Sequence, residues 1–388
     1  MSKSKFSFNI LEKRSNKTIF IAAFALAIIS LVFVISAEMG ETSSNTTYLL
    51  ESFIKSMFYL VAAVIWYMMT SRLPIRKFSL LIYYTAYVVI LFLLIICRAF
   101  GSVGGAYAWI RLGAISVQPS EFAKHMIILL GAKMFSKDYE QENKKMFIIY
   151  MILAAIYFIV IFGIQKDLGS AVIIFIIWFC ISLLCPHKET KDYVWKLLII
   201  LAVGIFGILL LMSPIATSFF KGHADNYMAG RFLASSNPFD YAYDVGYHVV
   251  MSLITFASGG FFGVGLGNSI HKHMNFPNPS TDFILPVIVE EGGIFMFIII
   301  VLLYLAIIIP IMHYSNKTDS TYSRIVYAGF IFYFIAHFIL NVGGVTGLIP
   351  LTGVPLLLLS GGGSSLIACF GIIGSCQGEI IRGRKRWE

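Results

Sequence analysis

Residues 284–310, ILPVIVEEGGIFMFIIIVLLYLAIIIP, decide the fold class. The stretch holds no Lys or Arg and is longer than the about 20 apolar residues that cross a bilayer as a helix. Working outward, comparable apolar runs occur at about 19–37, 53–70, 79–97, 121–135, 146–164, 168–185, 197–215, 325–343 and 351–378. Ten spans are expected, the fourth short enough to be tilted or partly re-entrant. The chain therefore reads as an all-α polytopic membrane protein, one transmembrane domain over residues 1–388.

Composition agrees. Of the 388 residues, 58% are hydrophobic and 13% charged, with 34 Phe and a mean hydropathy of +0.83. A soluble globular chain is about 25% charged, so a soluble enzyme is excluded, and so is disorder, which needs low hydrophobicity and high charge. The five cysteines, Cys97, Cys180, Cys185, Cys369 and Cys376, show no CxxC pattern and read as small apolar side chains. The first apolar run is long enough to be a retained helix rather than a cleaved leader.

The formal charge of +9 is a topology signal and not a nucleic-acid footprint. With the N-terminus cytoplasmic, 21 of the 29 Lys and Arg fall on the cytoplasmic side, six on the outer side and two, Lys55 and Lys124, within spans. Both termini are then cytoplasmic, as a tail at 1–18 and a basic tail at 379–388. A large extracytoplasmic loop covers 216–283, with a helical apolar pattern over Val249 to Phe262 suited to the membrane surface.

Charged residues in or beside spans are costly and are the first candidates for function. Trp109-Ile110-Arg111 leads into Gln118-Pro119-Ser120-Glu121-Phe122-Ala123-Lys124. Pro119 suits a first helical turn, Glu121 the positive end of the dipole, and Lys124 can pair with Glu121 at i+3. That reading leaves a lysine inside a span unexplained. Asp167, in Gln165-Lys166-Asp167-Leu168-Gly169-Ser170, is either an N-cap or a site carboxylate. Arg231 on the large loop is either an interfacial snorkeller or an anion clamp.

Asp282, in Thr281-Asp282-Phe283, lies where the loop re-enters the membrane; it is either an N-cap for the next span or a partly desolvated base. Glu290 and Glu291 follow inside that span and, being adjacent, face about 100° apart. Asn341 to Ser365, NVGGVTGLIPLTGVPLLLLSGGGSS, contains prolines and a triple glycine that break the helix and suit a packing device lining a cavity. Gly259 to Gly267 lacks the strand and GKS/GKT of a phosphate loop and reads as a turn; HExxH and GxSxG do not occur.

These motifs resemble the SEDS family (shape, elongation, division, sporulation), which includes the FtsW and RodA types. WIRLG…QPSEFAK, QKDLGSA, GRFLASSNP…GYHVVMSL, GGFFGVGLGNS, TDF, EEGG and the 341–365 run occur in the family's order and spacing over nearly the whole chain. Departures from its pattern are Lys166 where the family has proline, the glutamine-free Tyr247-His248-Val249-Val250-Met251-Ser252, Ser280 in place of a histidine, and Gly361 in place of an aromatic.

The resemblance implies a peptidoglycan glycosyltransferase that polymerises lipid II on the outer face of the bacterial cytoplasmic membrane. It also implies a class B penicillin-binding protein as partner, other divisome membrane proteins nearby, and no nucleic acid. Asp282 takes the place of the family's essential aspartate and Trp109 that of its important tryptophan.

The mechanism expected is a single displacement with Asp282 as catalytic base. Arg231, Arg111 and Lys124 would offset the charge of the pyrophosphate leaving group, with a divalent cation, Mg or Mn, as an open addition. Trp109, Arg111, Gln118, Glu121, Lys124, Asp167, Arg231, Glu290 and Ser364 form the expected substrate-binding set. Within the family, SGGFFGVGLGNSIHK and NVGGVTGLIPLTG look closer to the FtsW-like division type than to the RodA-like elongation type. A lipid II transporter and a non-catalytic divisome scaffold are the competing classes; transport would place the key residues nearer the bilayer midplane.

Overall fold

The computed structural model describes residues 15–41, 46–113, 115–136, 143–184, 195–196, 198–199, 227–274, 276 and 278–387. Its helices are α1 (Lys17–Glu41), α2 (Thr46–Arg72), α3 (Leu80–Ile96), α4 (Pro119–Met134), α5 (Asn143–Ile159), α6 (Leu168–Leu183), α7 (Tyr227–Ser236), α8 (Tyr247–Gly259), α9 (Ile284–Lys317), α10 (Thr321–Val345) and α11 (Gly363–Trp387). Seven helical segments among the described residues are long and apolar enough to cross a bilayer: α1, α2, α3 with its continuation to Phe100, α5 with its continuation to Ile164, α9, α10 and α11. The fourth and sixth expected spans are α4 and α6, each only 16 residues long. The seventh, 197–215, lies almost wholly outside the described residues, as does 216–226 of the large loop.

The short α4 is the axis of the bundle. Apart from Phe122 and Leu129 its residues are buried, and it packs against α3, α6, α10 and α11. Pro119 opens it, as the sequence suggested, with Gln118 as N-cap. Ahead of it the chain makes a small antiparallel hairpin of β1 (Ile110–Leu112) and β2 (Ile115–Val117), an element that helical periodicity does not announce. The forecast helix in the large loop is α8, which buries Val249 and Val250.

The stretch that decides the fold is not one straight helix. α9 breaks at Gly293, where φ is 70° and ψ −178°. A Cβ on Gly293 would sit 2.2 Å from the Phe261 carbonyl oxygen, so only glycine fits. Residues 260–265 lie in the break and satisfy it: Ile294 N donates to Gly260 O at 3.0 Å and Phe295 N to Phe261 O at 3.1 Å. In return Val264 N donates to Glu290 O at 2.8 Å and Gly265 N to Glu291 O at 3.0 Å. The EEGG and GGFFGVG motifs are two halves of one joint.

After α10 the chain runs irregularly from 346 to 362, and its 354–360 part is largely buried, where unpaired carbonyls are costly. Four side chains from three helices supply donors. Asn341 donates to Val354 O at 2.8 Å, His337 Nδ1 to Pro355 O at 3.1 Å, Tyr304 to Leu357 O, and Ser30 to Leu359 O at 2.7 Å. The expectation of a packing device holds, and the device brings this segment against Asp282.

Candidate active site

The site lies at the end of the bundle where α4, α6, α9 and α11 begin and α10 ends. Asp282 immediately precedes the N-cap of α9, which is Phe283 with no side-chain cap, so the N-cap reading of Asp282 fails. Among the described residues no hydrogen bond reaches its carboxylate, which is partly exposed. The residue is held by its backbone: Asn341 Nδ2 donates to Asp282 O at 2.9 Å and simultaneously to Val354 O.

The Arg231 guanidinium on α7 faces the same spot. Gly353 takes φ 68°, and a Cβ there would lie 3.4 Å from Asp282 Oδ2 and 3.7 Å from an Arg231 nitrogen. Both charged heads therefore converge on a bare glycine, which leaves room for a ligand. Desolvation by the surrounding protein pushes the Asp282 carboxyl up to about 6; Arg231 opposes that rise and Asp167 adds to it. His248 borders the group, 6.2 Å from the Phe283 ring, with its pKa lowered by burial and then by Arg231.

Asp167 is drawn in from another direction. Its Oδ1 accepts from Ser170 N at 3.0 Å, so it caps α6, and its Oδ2 accepts from Gln118 Nε2 at 3.0 Å. The cap reading holds, and the second carboxylate oxygen is taken by Gln118. Ser364 Oγ accepts from Gln118 N at 3.0 Å and donates to Ser116 O at 3.2 Å, tying α11 to the hairpin and to α4.

Glu121 and Lys124 are fully buried one turn further along α4, with Nζ 2.6 Å from Glu121 Oε1. Here the sequence reading missed two partners. Tyr333 donates to Glu121 Oε2 at 3.3 Å, and Lys124 Nζ lies 3.3 Å from His337 Nε2. The carbonyl of Pro355 can only accept, which places the His337 proton on Nδ1 and makes Nε2 the acceptor from Lys124. Tyr333, His337 and Asn341 are spaced four apart on an apolar helix. That polar ladder was the available signal, and it connects the buried pair through the 354–355 backbone to Asp282.

Other expected residues stand apart. Trp109 is half-buried ahead of β1 and Arg111 is exposed on β1 opposite Ser116, both outside this hydrogen-bonded network. Glu290 is spent on structure: it accepts from Ser258 at 3.1 Å, Ile270 N at 3.3 Å and Ser269, and lies 2.6 Å from His271 Nδ1. Glu291 pairs with buried Lys272 at 2.8 Å and accepts from Ser36 of α1 at 2.6 Å. The two glutamates take different partners, as their divergence on a helix requires.

Two departures from the family pattern touch each other. Gly361 N donates to Ser280 O at 2.8 Å, and a Cβ at 361 would lie 2.9 Å from that oxygen. The two departures are thus neighbours in the fold. Lys166 takes φ 56°, which the proline ring cannot adopt, so its substitution is accompanied by a different backbone turn.

A broken-helix membrane bundle with a free carboxylate beside a guanidinium defines a class, and comparison with known proteins gives the family. The FtsW/RodA/SpoVE model, described as "Cell cycle protein", matches residues 16–377. The chain belongs to that family. It is similar to the probable peptidoglycan glycosyltransferase FtsW of Bacillus subtilis, 34% identical over 71% of this chain and 67% of that one. A similarly named protein of Coxiella burnetii is 30% identical over 90% of this chain and 91% of that one. The peptidoglycan glycosyltransferase MrdB of Escherichia coli K12 is 29% identical over 74% and 75%.

Among solved structures, a chain of a peptidoglycan synthase complex superposes with a TM-score of 0.70 at 20% identity, covering 97% of this chain and all of that one. The rod shape determining protein RodA of Thermus thermophilus gives 0.62 at 20% identity, covering 96% and 98%. The fold is shared, and the protein is a multi-pass membrane protein.

Proposed function

We propose that this chain is a peptidoglycan glycosyltransferase that joins lipid II units into glycan strands, with Asp282 as the base. One observation carries the assignment: Asp282 is an accessible carboxylate, with no hydrogen bond among the described residues and a pKa near 6, set beside Arg231. The acceptor sugar hydroxyl gives its proton to Asp282 as its oxygen bonds to the donor's anomeric carbon. The anomeric carbon–oxygen bond to the lipid pyrophosphate breaks, and the electron pair leaves with the pyrophosphate. Arg231 supplies positive charge against that leaving group, and a base so placed is worth about 10²- to 10⁴-fold in rate.

Lys124 is held by Glu121 and His337 and acts through position. Among the described residues no group of three His, Cys, Asp or Glu side chains forms a metal cage, and no step is routed through a metal. The Lys and Arg distribution supports cytoplasmic termini and an outward-facing Asp282. The names of the FtsW relatives support a division role at the septum, and the synthase-complex neighbour supports a transpeptidase partner.

The test is the full chain, co-purified with its class B transpeptidase partner, in liposomes with labelled lipid II. Glycan polymer is expected. Movement of lipid II between leaflets without polymer would replace this reading with transport.

A further inference from the structure

At the opposite end of the bundle from Asp282, a cavity of about 550 Å³ opens between the α2–α3 connection, the end of α4, the α9–α10 connection and α11. The mechanism does not use it. Its lining carries four cationic side chains, Arg76, Lys77, Lys133 and Arg382, against two carboxylates, Asp319 and Glu379.

The lining is built. Lys133 is buried and donates to Arg76 O at 3.1 Å. Arg76 donates to Ser320 Oγ at 3.0 Å, and its guanidinium lies 5.7 Å from the centre of the Tyr322 ring. Glu379 is saturated by Arg382 at 2.9 Å and by Ser323 Oγ at 2.6 Å, so one carboxylate of the lining is already matched within the wall. Ser320 caps the N-terminus of the 25-residue α10, adding the positive end of that helix to the wall.

We propose that this cavity binds a phosphate group, with Arg76 and Lys77 as its principal contacts. A guanidinium presents paired donors to phosphate oxygens, and the lysines add point charge. Bound phosphate would bridge the α2–α3 and α9–α10 connections, locking the basic end of the bundle. The phosphate can come from an anionic phospholipid head group or from a soluble phosphate, because both present the same oxygens. The inference is independent of the catalytic reading, since no residue is shared with the Asp282 site.

The test measures thermal unfolding of the detergent-solubilised full chain with short-chain phosphatidylglycerol, phosphatidylcholine or inorganic phosphate, for wild type, Lys77→Gln and Arg76→Gln/Lys77→Gln. Stabilisation by phosphatidylglycerol but not phosphatidylcholine or inorganic phosphate, weakened at least fivefold in apparent affinity by the double variant, supports a lipid head group. The same dependence with inorganic phosphate supports a soluble source. Lys77 is exposed, so the single variant keeps the fold and must bind phosphate more weakly than wild type. No stabilisation by either phosphate probe, or stabilisation unchanged in both variants, overturns the proposal.

Discussion

Asp282 and the Glu290–Glu291 pair lie a few residues apart in sequence, and their surroundings differ in kind. Both glutamates are buried and saturated: Glu290 accepts from the end of α8 and from the 269–271 turn, Glu291 from Lys272 and Ser36. Asp282 is accessible, its carboxylate free of hydrogen bonds among the described residues, its pKa near 6. Saturated carboxylates hold a fold together because every lone pair is already satisfied. A carboxylate left free beside an arginine has capacity for a proton, and a pKa near the working pH makes the transfer efficient. Sequence reasoning, seeing only acidic residues near a membrane entry, placed Glu290 with the substrate; the geometry moves it to the scaffold.

The contrast can be broken from either side. The largest stability effect is expected at Glu291→Ala, which leaves Lys272 buried without its carboxylate: about 3–5 kcal/mol, read as a drop in thermal unfolding temperature. Gly293→Ala comes next, at about 1–3 kcal/mol or more, because its left-handed backbone and the adjacent Phe261 carbonyl both exclude a Cβ. On the open side, activity should follow the ionised fraction of Asp282. kcat/KM should be flat above about pH 7 and fall about tenfold per pH unit below the pKa of about 6, and a profile flat to pH 4.5 would remove Asp282 from the rate law. The smallest effect is expected at Lys166→Gly, which relieves a left-handed backbone and should gain up to about 1 kcal/mol in thermal stability.

Much of the fold could be read from the chain because spans announce themselves by length and hydropathy. The Glu121–Lys124 pair followed from i+3 spacing, and Asp282, Arg231, Asp167 and Gln118 were placed in one expected site through the family motifs. The break in α9 was hidden, since 27 residues of near-continuous apolar character look the same with or without a joint at Gly293. What opens it is a loop some thirty residues earlier, a contact no local pattern encodes. Tyr333 and His337 were passed over for a related reason: a polar residue in a span points to its partner only once the facing helix is known. The hairpin before α4 is too short, at three residues per strand, for alternation to show.

The stability sign at Asp282 separates the two kinds of carboxylate. Its folded pKa is raised, so the ionised form costs stability above the ordinary carboxylate pKa, and that cost fades as pH falls through about 6. An amide there removes the charge and keeps the shape. The most direct measurement is therefore made on one Asp282→Asn preparation with its transpeptidase partner, assayed for glycan polymer from lipid II and for thermal unfolding at pH 7. The account predicts polymerisation down about 10²- to 10⁴-fold with an unfolding temperature equal to or above wild type. Polymer at the wild-type rate, or a loss of activity accompanied by a large fall in stability, would contradict it.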